Sequence, residues 1–125
     1  MHELRYRRFW IAASLCLLAV VGWGSLQTTV SSPAPQGFDK VEHLATYLFL
    51  AVWFAGLLPR TRWWRIATGL LGLGLALELG QYMMQAGRMA EPVDMLANTA
   101  GIAAGMLLAW FGADRWALKV EACLP

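Results

Sequence analysis

Charged residues are scarce in this sequence. They make up 14% of its 125 residues, whereas a soluble globular domain averages about 25%. Hydrophobic residues make up 58%, and the mean hydropathy is +0.49. The chain therefore lacks the polar surface that a water-exposed fold needs. This composition excludes an ordinary cytosolic enzyme and a disordered protein.

Cysteine is scarce too, and the net charge is small. Cys16 lies within the first apolar run and Cys123 in the C-terminal tail, and neither has a CxxC partner. This pattern excludes a disulfide framework. The formal net charge of +2 comes from short basic clusters beside apolar runs, a placement typical of membrane anchoring. We therefore expect no nucleic-acid partner.

Four long apolar runs account for most of the chain, and they predict helices at about residues 9–27, 38–58, 64–84 and 93–112. A helix of about 20 residues crosses a hydrocarbon core about 30 Å thick. The length of the chain suits one domain. The sequence thus predicts an all-α membrane protein, a compact bundle of four transmembrane helices forming a single domain over residues 1–125, with the lipid bilayer as its surroundings.

The first apolar run has an alternative interpretation as a cleaved signal peptide, because arginines precede it and small residues follow it. The run is longer than the apolar region of 7–15 residues that is typical of signal peptides. No small-x-small cleavage site follows it directly. A retained transmembrane helix is the favoured interpretation.

Basic residues alternate between the connecting segments. Clusters precede the first helix, join the second to the third and follow the fourth: Arg5, Arg7, Arg8, Arg60, Arg62, Arg65, Arg115 and Lys119. The other two connections contain only Lys40 and Arg88. Because basic loops stay in the cytoplasm, this pattern predicts that both termini are cytoplasmic.

Polar residues within the predicted spans gather at one depth. Glu78 lies about 21 Å along the third helix from Trp64, at 1.5 Å per residue. His43 and Asn98 each lie one turn inside the start of their helices. Burying such groups costs about 2.5–3.5 kcal/mol each, so ionisable residues within spans usually mark function. These side chains are predicted to meet near the outer membrane face. Hydrogen bonding between helices alone is the simpler alternative.

Glycines on two of the predicted helices have the spacing of helix-packing motifs. Gly101 and Gly105 form a GxxxG pattern on the fourth helix, and Gly72 and Gly74 lie on the third. Small residues of this kind allow neighbouring helices to approach closely. We expect both pairs to lie at helix interfaces.

The polar residues match a pattern of a known family. Asp39-Lys40-x-x-His43, Glu78-x-x-Gln81, Arg88 and Asp94-x-x-x-Asn98-x-x-Gly101 resemble the motifs of the VanZ-like family. The resemblance covers about residues 38–112. It implies a small multi-pass protein of the bacterial cytoplasmic (inner) membrane and cell envelope, from a family named after a protein associated with teicoplanin resistance. The motif residues that it carries over are Asp39, Lys40, His43, Glu78, Gln81, Arg88, Asp94, Asn98 and Gly101. The eight polar members of this set are the candidate ligand-binding residues.

The favoured function is the binding of a cell-envelope or lipid-linked ligand, such as a cell-wall precursor, in a polar pocket open to the extracytoplasmic face. Lys40 and Arg88 would hold an anionic group of the ligand, with Gln81 and Asn98 fixing its orientation. An association with glycopeptide resistance would follow from changed envelope chemistry.

The alternative is a membrane enzyme acting on a lipid-linked envelope precursor. His43, Glu78 and Asp94 are the candidate catalytic residues, because an imidazole and carboxylates suffice for acid–base chemistry or for binding a divalent metal. However, the sequence contains no HExxH motif and places no serine or cysteine in the cluster. Neither a metal nor a cofactor is predicted.

Overall fold

The computed structural model describes residues 2–27, 37–83 and 92–124. These residues form four long helices, α1 (Arg7–Gln27), α2 (Phe38–Leu57), α3 (Trp63–Met83) and α4 (Pro92–Leu108), and a short helix, α5 (Trp116–Ala122). The described ranges contain no strand. The predicted all-α class is confirmed. The sequence predicts four helices, and the described residues contain a fifth, the short α5, which lies beyond the last predicted apolar run.

Proline and glycine set several of the helix boundaries. The chain leaves α2 in an extended conformation at Leu58, and Pro59 leads into a single 3₁₀ turn, Arg60–Arg62, before α3. Pro92 is the first residue of α4, where its missing N–H costs nothing. Beyond Leu108 the helix widens into a π-type turn, Ala109–Ala113, and Gly112 ends it with a φ of 146°. That backbone angle favours glycine.

Three segments of the described chain are long and apolar enough to cross a membrane, namely Arg7–Leu26, Arg60–Met83 and Pro92–Ala113. The chain is therefore a multi-pass membrane protein. Helix α2 has 20 residues, enough to span, but its opening turns carry Asp39, Lys40 and Glu42. The prediction of four crossings stays a prediction.

Helices α2 and α4 share the most extensive interface of the bundle, and glycine makes their close approach possible. A Cβ atom on Gly101 would collide with the backbone carbonyl of Leu44, and one on Gly105 would collide with that of Leu48. The predicted role of this GxxxG motif is confirmed.

The two glycines of α3 differ from each other. Gly74 is buried, and a Cβ there would lie 2.9 Å from Nδ2 of Asn98. Gly72 is exposed, with nothing within 4 Å of its Cβ position. The prediction of close packing at Gly72 is therefore wrong, because α3 turns this face away from α4.

The main core lies between α2, α3 and α4. Its buried side chains include Leu50 and Ala55 of α2, Leu70 of α3, and Ile102 of α4. Leu50 and Ala55 have no exposed surface. This packing fixes the rotation of the three helices about their axes, and so decides which polar side chains face one another.

Tryptophan side chains pack against one another at the end of the bundle where α5 lies. The rings of Trp10, Trp53 and Trp116 are in mutual contact, with centroids 5.0–6.0 Å apart. The indole N–H of Trp116 donates to the carbonyl of Val52 at 3.1 Å. A Cβ on Gly56 would collide with the Trp116 ring, so glycine at this position lets α5 dock against α2.

Glu121 of α5 binds the start of α1. Its carboxylate accepts hydrogen bonds from the backbone N–H of Arg5 at 2.7 Å and of Tyr6 at 2.9 Å, and from the indole of Trp10 at 2.7 Å. The first backbone N–H groups of a helix have no partner within the helix. A carboxylate from a distant part of the chain therefore caps α1.

Candidate ligand-binding site between α2, α3 and α4

Four polar side chains from three helices meet at the end of the bundle opposite α5. His43 comes from α2, Glu78 from α3, and Asp94 and Asn98 from α4. One ring nitrogen of His43 and one carboxylate oxygen each of Glu78 and Asp94 lie within 4.8 Å of one another. The predicted convergence is confirmed. We call these four residues the polar cluster.

The polar cluster is largely removed from the surface. Asn98 is 1% exposed, Asp94 4% and Glu78 6%, while His43 is half-buried. Polar groups are rarely buried to this extent unless they are hydrogen-bonded or paired. His43 therefore forms the most accessible side of the cluster.

A hydrogen bond fixes the tautomer of His43. Its Nδ1 lies 2.9 Å from Oδ1 of Asn98. An amide oxygen only accepts hydrogen bonds, so Nδ1 carries the proton and donates it. In the neutral ring, Nε2 then keeps its lone pair, which can accept a proton or bind a cation.

Lys40 compensates the charge of Asp94. Its ammonium nitrogen lies 2.9 Å from Oδ1 of Asp94 and 2.9 Å from Oδ2 of Asp39. Asp94 is buried, whereas Lys40 and Asp39 are half-buried on the first turn of α2. A buried carboxylate needs such a partner. Lys40 thus joins the polar cluster to Asp39 at the start of α2, and two carboxylates already share its charge.

Tyr47 lies beneath the polar cluster and was missed by the sequence analysis. It is 3% exposed, and its hydroxyl has no hydrogen-bond partner within the described part of the chain. The Cβ position of Gly74 is 3.1 Å from this hydroxyl and 2.9 Å from Nδ2 of Asn98. Tyr47 follows His43 by one helical turn on the same face of α2, and that spacing was the signal available in the sequence.

Gln81 contacts α1 instead of the other members of the motif. Its side-chain amide donates to the carbonyl of Ser25 at 2.7 Å, and the residue is 5% exposed. This bond ties the end of α1 to α3, one turn beyond Glu78. A role for Gln81 in orienting a ligand stays a prediction. Arg88, the other predicted cation of the site, lies outside the described residues.

The chemistry available to the polar cluster follows from its donors and acceptors. The carboxylates of Glu78 and Asp94 accept hydrogen bonds from hydroxyl or amino groups, and Nε2 of His43 can take or return a proton. One imidazole nitrogen and two carboxylate oxygens also form a donor set that suits a divalent ion such as Zn²⁺ or Mn²⁺.

Comparison with known proteins identifies one family. A family model described as VanZ/LLP1 matches residues 7–113, a range that includes the four long helices α1 to α4 and ends before α5. This match confirms the resemblance inferred from the motif residues. No curated protein and no solved structure shows significant similarity to the chain.

Proposed function

We propose, for this chain that belongs to the VanZ/LLP1 family, that the polar cluster binds the polar headgroup of a cell-envelope or lipid-linked ligand. The observation that carries the proposal is the convergence of His43, Glu78 and Asp94 within 4.8 Å inside an otherwise apolar bundle. Placing ionisable side chains inside a membrane protein costs free energy, and such side chains usually mark ligand sites or proton pathways.

The features of the polar cluster favour a headgroup rich in hydroxyl or amino groups. Glu78 and Asp94 accept hydrogen bonds, and the Tyr47 hydroxyl below them can donate one. Lys40 lies at the rim, 2.9 Å from Asp39 and from Asp94, and an anionic group of the ligand would exchange with one of these carboxylates. Charge-assisted hydrogen bonds of this kind are the strong ones.

The proposed ligand reaches the polar cluster from the extracytoplasmic face of the bacterial inner membrane. The arginine clusters lie at the α5 end of the bundle and so support four crossings with both termini in the cytoplasm. The polar cluster lies at the other end. Envelope precursors that have crossed the membrane carry their headgroups on that outer side.

A lipidomic comparison tests the proposal in cells. We expect deletion of the gene to change the abundance of at least one envelope lipid or lipid-linked precursor, and the wild-type chain to restore it. Glu78→Gln should not restore it, whereas Glu42→Gln should, because Glu42 is an exposed acid on α2. An unchanged lipid profile in the deletion strain would contradict the proposal.

The proposal extends to teicoplanin susceptibility, through altered envelope chemistry at the membrane surface. Cells that overproduce the wild-type chain should then tolerate more teicoplanin than cells that produce Glu78→Gln at the same level. The minimum inhibitory concentration of each strain measures this. Equal minimum inhibitory concentrations for both strains would contradict a role of this protein in glycopeptide resistance. The lipidomic comparison would then be the test of ligand binding.

A second candidate function, a membrane enzyme, is favoured by one observation. The hydrogen bond from Nδ1 of His43 to Asn98 orients the ring as in sites where Nε2 acts as a general base or a metal ligand. If the chain is an enzyme, deletion should raise the substrate and lower the product among envelope lipids. A binding protein would change the distribution of one species without forming another.

A further inference from the structure

An apolar groove of about 570 Å³ runs along α3 on the side that faces α1. Large side chains form its walls, among them Leu18 of α1, Phe54 of α2, and Leu70 of α3. None of the residues of the polar cluster lines it. The groove is therefore a second feature of the bundle, separate from the proposed ligand site.

Small residues of α3 keep the groove open. Gly69, Gly72 and Ala76 line it, and nothing lies within 4 Å of the Cβ position of either glycine. The face is exposed in a segment apolar enough to cross a membrane. A groove at this position opens onto lipid rather than water.

The groove has the length of one membrane leaflet. Arg65 and Ala76 mark its ends along α3, and they are about 16 Å apart at 1.5 Å per residue. Half of a hydrocarbon core about 30 Å thick is about 15 Å. An acyl chain lying in the groove would reach from the membrane surface to the middle of the bilayer.

Arg65 gives the groove a charged end. It is the sole charged residue of the lining and lies in the first turn of α3, where the helix enters the membrane. Its guanidinium lies 5.2 Å from the ring centroid of Trp64, and tryptophan is typical of the membrane–water boundary. Arginine at this level is well suited to bind a phosphate through two parallel hydrogen bonds.

From this combination we infer that the groove is a binding site for an anionic phospholipid. One acyl chain packs against Gly69 and Gly72 between α1 and α3, and the phosphate binds Arg65. Arg65 lies at the depth where the phosphate of a phospholipid lies, and its charge is opposite to that of the phosphate. A second copy of the protein fits the groove less well, because the Arg65 guanidinium would then lie without an anion at the end of an apolar interface.

Native mass spectrometry of the purified full-length chain tests the inference, with phosphatidylglycerol and phosphatidylcholine of the same acyl chains as probes. We expect one phosphatidylglycerol to bind per chain, with about tenfold preference over phosphatidylcholine. Both lipids carry a phosphate, but the choline ammonium of phosphatidylcholine neutralises that phosphate and repels the Arg65 guanidinium, so its contact with Arg65 is weaker. Arg65→Gln should abolish the preference. Gly72→Leu should fill the groove and reduce binding of both lipids several-fold.

Gly24→Leu is the matched control, because it adds the same side chain at an exposed glycine of α1 with nothing within 4 Å of its Cβ position. It should bind lipid as the wild type does. Equal binding of the two lipids by the wild type, or unchanged binding by Gly72→Leu, would overturn the inference. A dimer that Gly72→Leu disrupts while lipid binding is unaffected would also overturn it. Glu78→Gln should leave the phospholipid bound in the groove. The proposal for the polar cluster and the proposal for the groove can therefore be refuted independently.

Discussion

At the scale of single residues, the structure turns a set of separated motif positions into one connected network. Lys40 lies between Asp39 and Asp94, and Asn98 holds His43 through Nδ1. Each of these contacts satisfies a group that would be costly to bury alone. The network therefore contributes to the stability of the fold. Variants are needed that change its function without changing that stability.

Replacing Glu78 by Gln separates the contribution of this residue to stability from its contribution to function. Glutamine has the same shape and keeps most hydrogen bonds but removes the charge and the titratable proton. We expect normal membrane insertion, an equal or higher melting temperature because the amide costs less to bury, and loss of the ability to restore the lipid profile of a deletion strain. Thermal unfolding of the purified variant in detergent measures its stability, and lipidomics of deletion cells that produce the variant measures its function.

Comparison with Glu78→Leu completes that experiment, since leucine also deletes the hydrogen bonds and should lower the melting temperature. Glu42→Gln serves as the control for removal of an acid. Restoration of the lipid profile by both Glu78 variants at matched protein level would show that Glu78 has a structural role alone.

At the scale of helices, packing between α2 and α4 determines whether the polar cluster forms. Gly101 brings α4 against the backbone of α2 at Leu44, one residue after His43. The same close approach aligns Asn98 with His43. A change that separates these helices should therefore damage stability and site together.

Gly101→Leu tests this dependence. Because the neighbouring atom is a backbone carbonyl, the added side chain cannot be accommodated by a rotamer change, and overpacking of this kind costs about 1–3 kcal/mol. We expect a lower yield of folded protein in size-exclusion chromatography and a lower melting temperature. Gly24→Leu, at an open position of α1, should behave as the wild type. Equal stability of the two variants would mean that α2 and α4 pack differently.

The contact between α5 and the start of α1 should depend on pH. Partial burial tends to raise the pKa of Glu121, but the N–H groups of Tyr6, Trp10 and Arg5 outweigh it and lower that pKa below its ordinary value. A lowered pKa in the folded state means that the contact stabilises the fold at neutral pH. This stabilisation is lost in acid, as the pH falls through the lowered pKa of Glu121.

Hydrogen exchange of the Tyr6 amide measures the effect. Protection should be high at pH 7 and fall in acid for the wild type, while Glu121→Gln should show weak protection at both pH values. Glu3→Gln, which changes another exposed acid of the same end, should retain the wild-type profile. Protection of the Tyr6 amide that is independent of pH in the wild type would contradict the capping role of Glu121.

Sequence patterns predicted some parts of this structure better than others. Apolar runs and prolines place the four long helices, because both act locally on the chain. The convergence of His43, Glu78 and Asn98 was predictable because helix rise alone sets their depth. Tyr47, Gly56 and Glu121 were missed. Tyr47 had a local signal, its spacing of one helical turn from His43. The roles of Gly56 and Glu121 depend on partners far away in sequence, such as Trp116 for Gly56, and no local pattern indicates a contact of that kind.

At the scale of the whole molecule, the two ends of the bundle differ in chemistry. One end combines the tryptophan cluster with an ion pair between Arg60 and Asp114, 2.8 Å apart. The other holds the polar cluster. This polarity along the bundle axis agrees with a protein that is anchored at one membrane surface and binds its ligand near the other.

The orientation of that axis is itself a prediction. Because the arginine clusters lie at the α5 end, we expect both termini in the cytoplasm. A fusion of alkaline phosphatase after Pro125 should be inactive, whereas a green fluorescent protein at the same position should fluoresce. An active phosphatase fusion would show that the bundle has the inverse orientation, with the polar cluster at the cytoplasmic surface.

The central claim, that the polar cluster binds an envelope ligand, is tested most directly by mass spectrometry of the lipids that co-purify with the chain. The account predicts at least one envelope lipid with a polar headgroup bound to the wild type and to Glu42→Gln. The same species should be depleted about tenfold or more in Glu78→Gln, the effect of losing one hydrogen bond to a charged group. An identical set of lipids on all three proteins, at equal yield of folded protein, would contradict the claim.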